Sequence, residues 1–214
     1  MIKKDVEMFV DGNEKYIQLN DVDMQDIEKV WENLLANYPG FVIDFCFHNT
    51  LAPEKFLLEA GAFVLDNCIE MRLLEKDFVD LPTNATGNVL PVTISNFADF
   101  ATCHDNAHPD MYWNSQRILA DFDAWDVFMM QQHGKTTGYA IMRGGTEIYC
   151  VLADSLDDKI ALISAAIKKG FIADADSNKD LLFMVDRDNF TEVGAAMHLG
   201  FRREGYHIAY RVKI

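Results

Sequence analysis

The chain has 214 residues, 50% hydrophobic and 12% aromatic, a globular composition with enough apolar surface for one large or two small domains. A formal net charge of −15 argues against nucleic acid, which needs clustered Lys and Arg, and against anionic membrane surfaces. The acidity is uneven, −10 over residues 1–80 and −5 over 81–214, so an anionic ligand is repelled less by the second part. Cys46, Cys68, Cys103 and Cys150 are far apart and form no C-x-x-C pair, so neither zinc nor a disulfide framework is indicated. No leader-like segment and no apolar run of about 18 residues is present, and the expected setting is cytosolic and reduced.

Asp5 to Val10 and Glu14 to Leu19 read as two strands around the Asp11-Gly12-Asn13 turn. Asp23 can cap a helix whose Met24, Ile27, Trp31 and Leu34 or Leu35 share a face, ended by Tyr38-Pro39-Gly40. Phe41 to Phe47 is an apolar strand interrupted by Asp44. His48-Asn49-Thr50 leads a short helix over 51–60, and Cys68 to Leu74 is a further strand. Residues 81–91, rich in Pro, Gly, Asn and Thr, read as a polar linker. Val92 to Ile94 then reads as a strand, Ser95 or Asn96 caps a helix from Phe97, and His108-Pro109 breaks it before a second helix over 111–122. Val127–Met130 and Thr137–Arg143 form a hairpin through His133-Gly134-Lys135, and Gly144-Gly145 turns into a strand over 146–152.

Ser155 caps the next helix, with Asp158 three residues on, apolar positions Leu156, Ile160, Ile163 and Ile167, and a stop at Gly170. Leu182 to Val185 is a continuous apolar run, the pattern of a strand covered on both faces. Asn189 and Glu192 have capping-box spacing, Phe190, Val193 and Met197 recur at helical spacing, and Gly200 is placed to end the helix with Phe201 folded back on it. Tyr206 to Val212 is the last strand. The order strand, helix, strand, helix, strand thus occurs twice, offset by about 140 residues, with Asn49 opposite Asn189, Phe63 opposite Phe201 and Met71-Arg72-Leu73 opposite Tyr210-Arg211-Val212.

Val185, Asn189, Gly200 and Phe201, in that element order, resemble the end of the GNAT acetyltransferase superfamily domain. The resemblance implies an α/β fold, a mixed central sheet flanked by helices. A complete domain would span 92–214, with residues 1–80 a partial repeat of the same sheet and 81–91 the linker. It implies acetyl-CoA in a cleft between the 146–152 and 181–185 strands, against Cys150, Val151, Leu152, Lys159 and Asn189. It places Glu147 where a base deprotonates the acceptor amine, and His108, Asp110, Tyr112 and Trp113 over the acceptor.

Two departures stand beside it. The cofactor loop, Ala153-Asp154-Ser155-Leu156-Asp157-Asp158-Lys159, has no glycine and three carboxylates where the helix N-terminus should receive a phosphate. The position of the family's general-acid Tyr is Ala196, or Leu57 or Leu58 in the first unit; His198 is another donor on the later helix. His104-Asp105-Asn106-Ala107-His108 imitates H-E-x-x-H, but Pro109 follows at once and no third ligand is evident. Cys150 reads as a small buried apolar residue. The implied activity is acyl-CoA-dependent N-acyl transfer, an acetyltransferase acting directly on a cationic amine. The alternative is a fold that lost its acetyl-CoA site and serves as a binding module. Acceptor, acyl group and oligomeric state are not legible.

Overall fold

The structure, a computed structural model, describes residues 7–109, 111–172 and 180–214. In chain order the elements are β1 (Glu7–Asp11), β2 (Tyr16–Asn20), α1 (Ile27–Asn37), β3 (Val42–His48), α2 (Glu54–Glu59), β4 (Phe63–Leu74), β5 (Asn88–Pro91), α3 (Phe97–Ala107), α4 (Ser115–Ala120), β6 (Trp125–Gln132), β7 (Lys135–Arg143), β8 (Glu147–Leu152), α5 (Leu156–Ile172), β9 (Asp180–Asp186), α6 (Phe190–His198) and β10 (Arg202–Lys213). Among the described residues no helix is long and apolar enough to cross a membrane.

Backbone contacts divide the chain into two compact units. One ends at Ile69 and takes in Gly205–Ile214; the other is Glu70–Glu204. Sequence boundaries at 80 and 92 differ from these because β4 and β10 each run past a boundary. The last strand was expected to close the second unit. Most of it belongs to the first, where His207 to Lys213 pair antiparallel with His48 to Val42 of β3. The end of the expected linker is strand β5, paired antiparallel with β6. Val92–Ile94 is therefore not the opening strand, although the Val92 N–H still donates to the Val127 carbonyl.

In the first unit the strand order is β1-β2-β3-β10. Parallel β2 and β3 stay paired over five positions, Tyr16 opposite Val42 through Asn20 opposite Cys46. Helix α1 buries Ile27, Val30 and Leu34 on this sheet, while Met24 and Leu35 are exposed. Asp23 accepts from the Gln25 N–H in a turn and does not cap the helix. Asn49 differs from its counterpart Asn189: at φ 54° its side chain accepts from the Tyr206 N–H, and Pro53 occupies the N-cap position of α2. Phe63 is exposed, unlike Phe201.

The polar residue that interrupts β3, Asp44, is only 4% exposed. Arg211 grips it with two bonds of 2.7 Å, and the Tyr16 hydroxyl donates to it at 2.8 Å. Burial, the Asp44 charge and that hydrogen bond together push the Tyr16 phenol far up, so it stays a donor.

In the second unit the order is β4-β9-β8-β7-β6-β5. Helix α5 buries Ile160, Ile163 and Ile167, with Leu156 exposed. It runs on to Ile172, so Gly170 is no stop; a Cβ there would meet the Gly145 carbonyl at 2.8 Å, and glycine lets helix and turn pack closely. The expected second helix is shorter, α4 plus a single 3₁₀ turn at Phe122–Ala124, because Asn114 caps it by accepting from the Arg117 N–H. Helix α6 buries Glu192, Val193, Ala195 and Ala196, and leaves Phe190 and Met197 exposed. The apolar face was misplaced because small alanines, not the large residues, fit against the sheet. Gly200 does end this helix at φ 99°, and the Phe201 N–H reaches back to the Ala196 carbonyl.

Replacing Arg211 by Met should strand a buried carboxylate and cost the chain about 3–5 kcal/mol. Urea denaturation of the variant measures this; a loss below about 1 kcal/mol would mean that Asp44 finds water or takes a proton.

Candidate functional site

The site grows from how two parallel strands part. β8 and β9 pair at only two positions, Glu147 opposite Leu182 and Ile148 opposite Phe183. Beyond them Cys150, Val151 and Leu152 keep their antiparallel partners on β7, Ile141, Ala140 and Tyr139, while the ladder with β9 has ended. Where β8 leaves β9 its pairing with β7 also slips: Ile141 faces Cys150 and Met142 faces Ile148, leaving Tyr149 as the extra residue of a bulge. A bulge turns consecutive side chains toward one face. Tyr149 and Cys150 accordingly both lie against the cluster built from Phe100, Trp125, Tyr139 and Ile141. On β7, Gly138 lies so close to β8 that a Cβ would sit 2.5 Å from the Leu152 carbonyl.

The residues expected around the cofactor fall into distinct places. Cys150, Val151 and Leu152 form the end of β8 that lies beyond its ladder with β9 and stays paired with β7. Lys159, in the second turn of α5, is 6% exposed. Asn189 caps α6 but is fully engaged with Glu192: its Oδ1 accepts from the Glu192 N–H at 3.2 Å and its Nδ2 donates to the Glu192 carboxylate at 2.7 Å. Asp158, expected to oppose a phosphate, is turned inward at 6% exposure, accepting from the Thr86 N–H and hydroxyl. It anchors the chain before β5. Ser155 caps α5 as expected, through its Oγ and the Asp158 N–H.

Glu147 stands at the closed end of the wedge, between Arg143 of β7 and Leu182 of β9. The acceptor-side residues come from the α3–α4 connection. Trp113 packs on Trp125 at 5.2 Å with the Arg143 guanidinium over it, Tyr112 lies under Arg117, and Trp125 also contacts Tyr149. Asp110 lies outside the described residues.

His104 and His108 do not act as a ligand pair. His104 Nε2 lies 2.9 Å from the Trp113 carbonyl, which only accepts, so this nitrogen carries the hydrogen. Its Nδ1 then accepts from the Tyr139 hydroxyl at 3.0 Å. Burial lowers the His104 pKa, consistent with a neutral ring, and raises that of the Tyr139 phenol, keeping its proton. His108 closes α3 and places Nε2 3.6 Å from Cys150 Sγ. Burial, then neighbouring His104, lowers its pKa. Sequence spacing could not announce this contact, since the two residues are 42 positions apart. Glu192 was missed as well. Burial pushes its carboxyl up to about 7, opposed by Lys159 and aided by Asp186.

Ala196, at the position of the missing general-acid Tyr, and His198, a donor on that helix, differ in setting. Ala196 is 0% exposed, with no room for a phenol, and His198 is exposed, donating from Nδ1 to the Gly194 carbonyl at 2.7 Å.

No family model matches the chain, and no curated protein matches it. Solved structures do. A functionally unknown conserved protein from Staphylococcus epidermidis is 12% identical, with 96% of this chain and 90% of that one aligned at a TM-score of 0.67. A GCN5-related N-acetyltransferase from Kribbella flavida is 10% identical over 92% and 80%, TM-score 0.60. A tandem GNAT protein from the clavulanic acid biosynthesis pathway is 9% identical over 97% and 78%, TM-score 0.53. At such identities the likeness is one of fold, and the fold is that of the GNAT superfamily.

Two predictions follow from the packing. Ala196→Tyr should destabilise the fold by about 1–3 kcal/mol or more through overpacking, read as a lowered melting temperature; an unshifted melt would reveal space beside α6. For Glu192 the folded pKa lies above the unfolded one, so folding binds a proton and stability falls as pH rises from about 4.5 to about 7. Glu192→Gln should flatten that slope, gaining on the wild type by up to a few kcal/mol between pH 5 and 8. Parallel stability curves across that range would place the carboxyl in contact with water.

Proposed function

We propose that this chain, which has the GNAT fold, is an acyl-CoA-dependent N-acyltransferase working in the second unit, with acetyl-CoA as the donor. The observation that carries this reading is the two-position ladder of β8 and β9. A parallel pair whose ladder ends after two positions lets β8 diverge from β9 along Cys150 to Leu152, the form of a slot for an extended, amide-bearing arm. In the first unit the corresponding pair, β2 and β3, stays zipped over five positions and offers no such slot.

Within the slot the pantetheine arm runs along Cys150, Val151 and Leu152, and the first turn of α5 receives the pyrophosphate. Asp158 is turned away from it, into hydrogen bonds with Thr86. Lys159 supplies positive charge that the glycine-free loop otherwise lacks. The acceptor is a cationic amine, favoured by the overall charge of −15. It enters past His108, Tyr112 and Trp113, and Glu147 is the base that takes its proton. The second reading, a fold without its cofactor, is favoured by the missing loop glycines and by Ala196 in place of Tyr.

Calorimetric titration with acetyl-CoA separates the two. The expected result is saturable binding with a Kd between about 1 μM and 1 mM, weakened tenfold or more by Lys159→Met. Absence of binding at about 1 mM would overturn the enzyme reading in favour of the binding module.

A further inference from the structure

The sequence suggests that Cys150 is inert filling, yet the fold gives it an imidazole. Its Sγ lies 3.6 Å from His108 Nε2 and 3.9 Å from the Tyr139 hydroxyl. The Tyr139 hydrogen is committed to His104, so the thiol donates to Tyr139 Oη, and in the tautomer with its hydrogen on Nδ1 His108 offers Nε2 as a second acceptor beside the sulfur. His108 is itself positioned. Its backbone N–H donates to the His104 carbonyl at 2.9 Å, and its ring sits 5.8 Å from the His104 ring, which is fixed at both nitrogens. A thiol and a base within hydrogen-bond reach, the base fixed in place at the end of a helix, is the pairing a nucleophile and its proton acceptor need. The bulge at Tyr149 brings this thiol to the point where β8 parts from β9.

We propose that Cys150 carries the acyl group between acyl-CoA and the acceptor, with His108 moving its proton. The inference rests on the acyl-CoA reading above and replaces direct transfer by two steps. In the first, Cys150 Sγ attacks the carbonyl carbon of the thioester while its proton passes to His108 Nε2. The carbon–sulfur bond to the coenzyme breaks, and the leaving thiolate takes the proton from His108. One thioester is exchanged for another, with free coenzyme thiol as product. In the second step the acceptor amine attacks the Cys150 thioester, and the carbon–sulfur bond to Cys150 breaks. The proton shed by the amine returns through His108 to the Cys150 sulfur, leaving an amide and the starting thiol.

The resting pair suits this role. Burial pushes the Cys150 thiol up to about 12 and the His108 imidazole down, so the two stand as neutral thiol and neutral base. Reagents from bulk solvent meet a poor nucleophile. A thioester held in the slot meets a thiol whose proton has somewhere to go as the new bond forms. The transient imidazolium beside His104 is a ready acid for the departing thiolate.

The test needs no acceptor. The full chain is incubated with acetyl-CoA alone, quenched in acid, and its intact mass and peptides are measured, alongside calorimetric binding of acetyl-CoA. The expected result is one acetyl group per chain, on the Cys150 peptide, released by hydroxylamine as a thioester is. It should be absent in Cys150→Ala, and its formation slowed about 10²-fold or more in His108→Gln. Cys150→Ser keeps the packing, and should still bind acetyl-CoA without forming a hydroxylamine-labile thioester at that position. Acetyl-CoA binding with no acetyl on Cys150, or acetylation of Cys68 or Cys103 in its place, overturns the relay and leaves the acyltransferase reading intact. Absence of acetyl-CoA binding overturns both. Acetylation at an unchanged rate in His108→Gln overturns the role of His108.

Discussion

Everything proposed for the second unit depends on the failure of β8 and β9 to stay paired. Parallel strands joined by a helix normally satisfy each other along their length, as β2 and β3 do. After Ile148 and Phe183 the ladder stops, and the backbone groups of β8 on that side need another partner. The bulge at Tyr149 belongs to the same event. An extra residue on β8 bends the strand away from the line β9 follows, and re-aims the side chains at the bend. A slot and a set of side chains facing it thus arise from one irregularity.

The charges around the slot are set more by burial than by the chain's net acidity. Asp158 is withdrawn into hydrogen bonds with Thr86, and Glu192 is lifted into the neutral range by desolvation. Lys159, at 6% exposure, lies within electrostatic reach of both Glu192 and Cys150. Asp154, exposed, and Asp157, half-buried, remain at the start of α5, so burial removes only part of the acidity there. Elsewhere charges are paired outright: buried Asp44 holds Arg211 inside the first unit, and the more exposed Arg72 binds Asp180 at 2.5 Å and Glu204 at 2.9 Å in the second. Those two arginines occupy matching places in the Met71-Arg72-Leu73 and Tyr210-Arg211-Val212 segments, flanked in each case by buried apolar residues. The two segments share a physical pattern, buried–ion-paired–buried, where Asn49 and Phe63 do not share the roles of Asn189 and Phe201.

What the amino-acid sequence determined by itself was the order of elements and their stops. Local chemistry suffices for these: the Ser155 and Asn189 caps, the Gly200 terminus with Phe201 behind it, and the hairpin at His133-Gly134 all act within a few residues. That order was enough to make the fold legible. Which face of a helix is buried was less so, because α6 packs through Ala195 and Ala196 and displays Phe190, a choice made by the shape of the sheet beneath it. The tertiary structure alone decided the partners across long separations. Register moved most of β10 to β3, drew Asp158 to Thr86, and set His108 against Cys150. Spacing along a chain encodes neighbours three or four residues away; a thiol and an imidazole 42 residues apart meet only because a bulge turns one strand while a helix ends beside it.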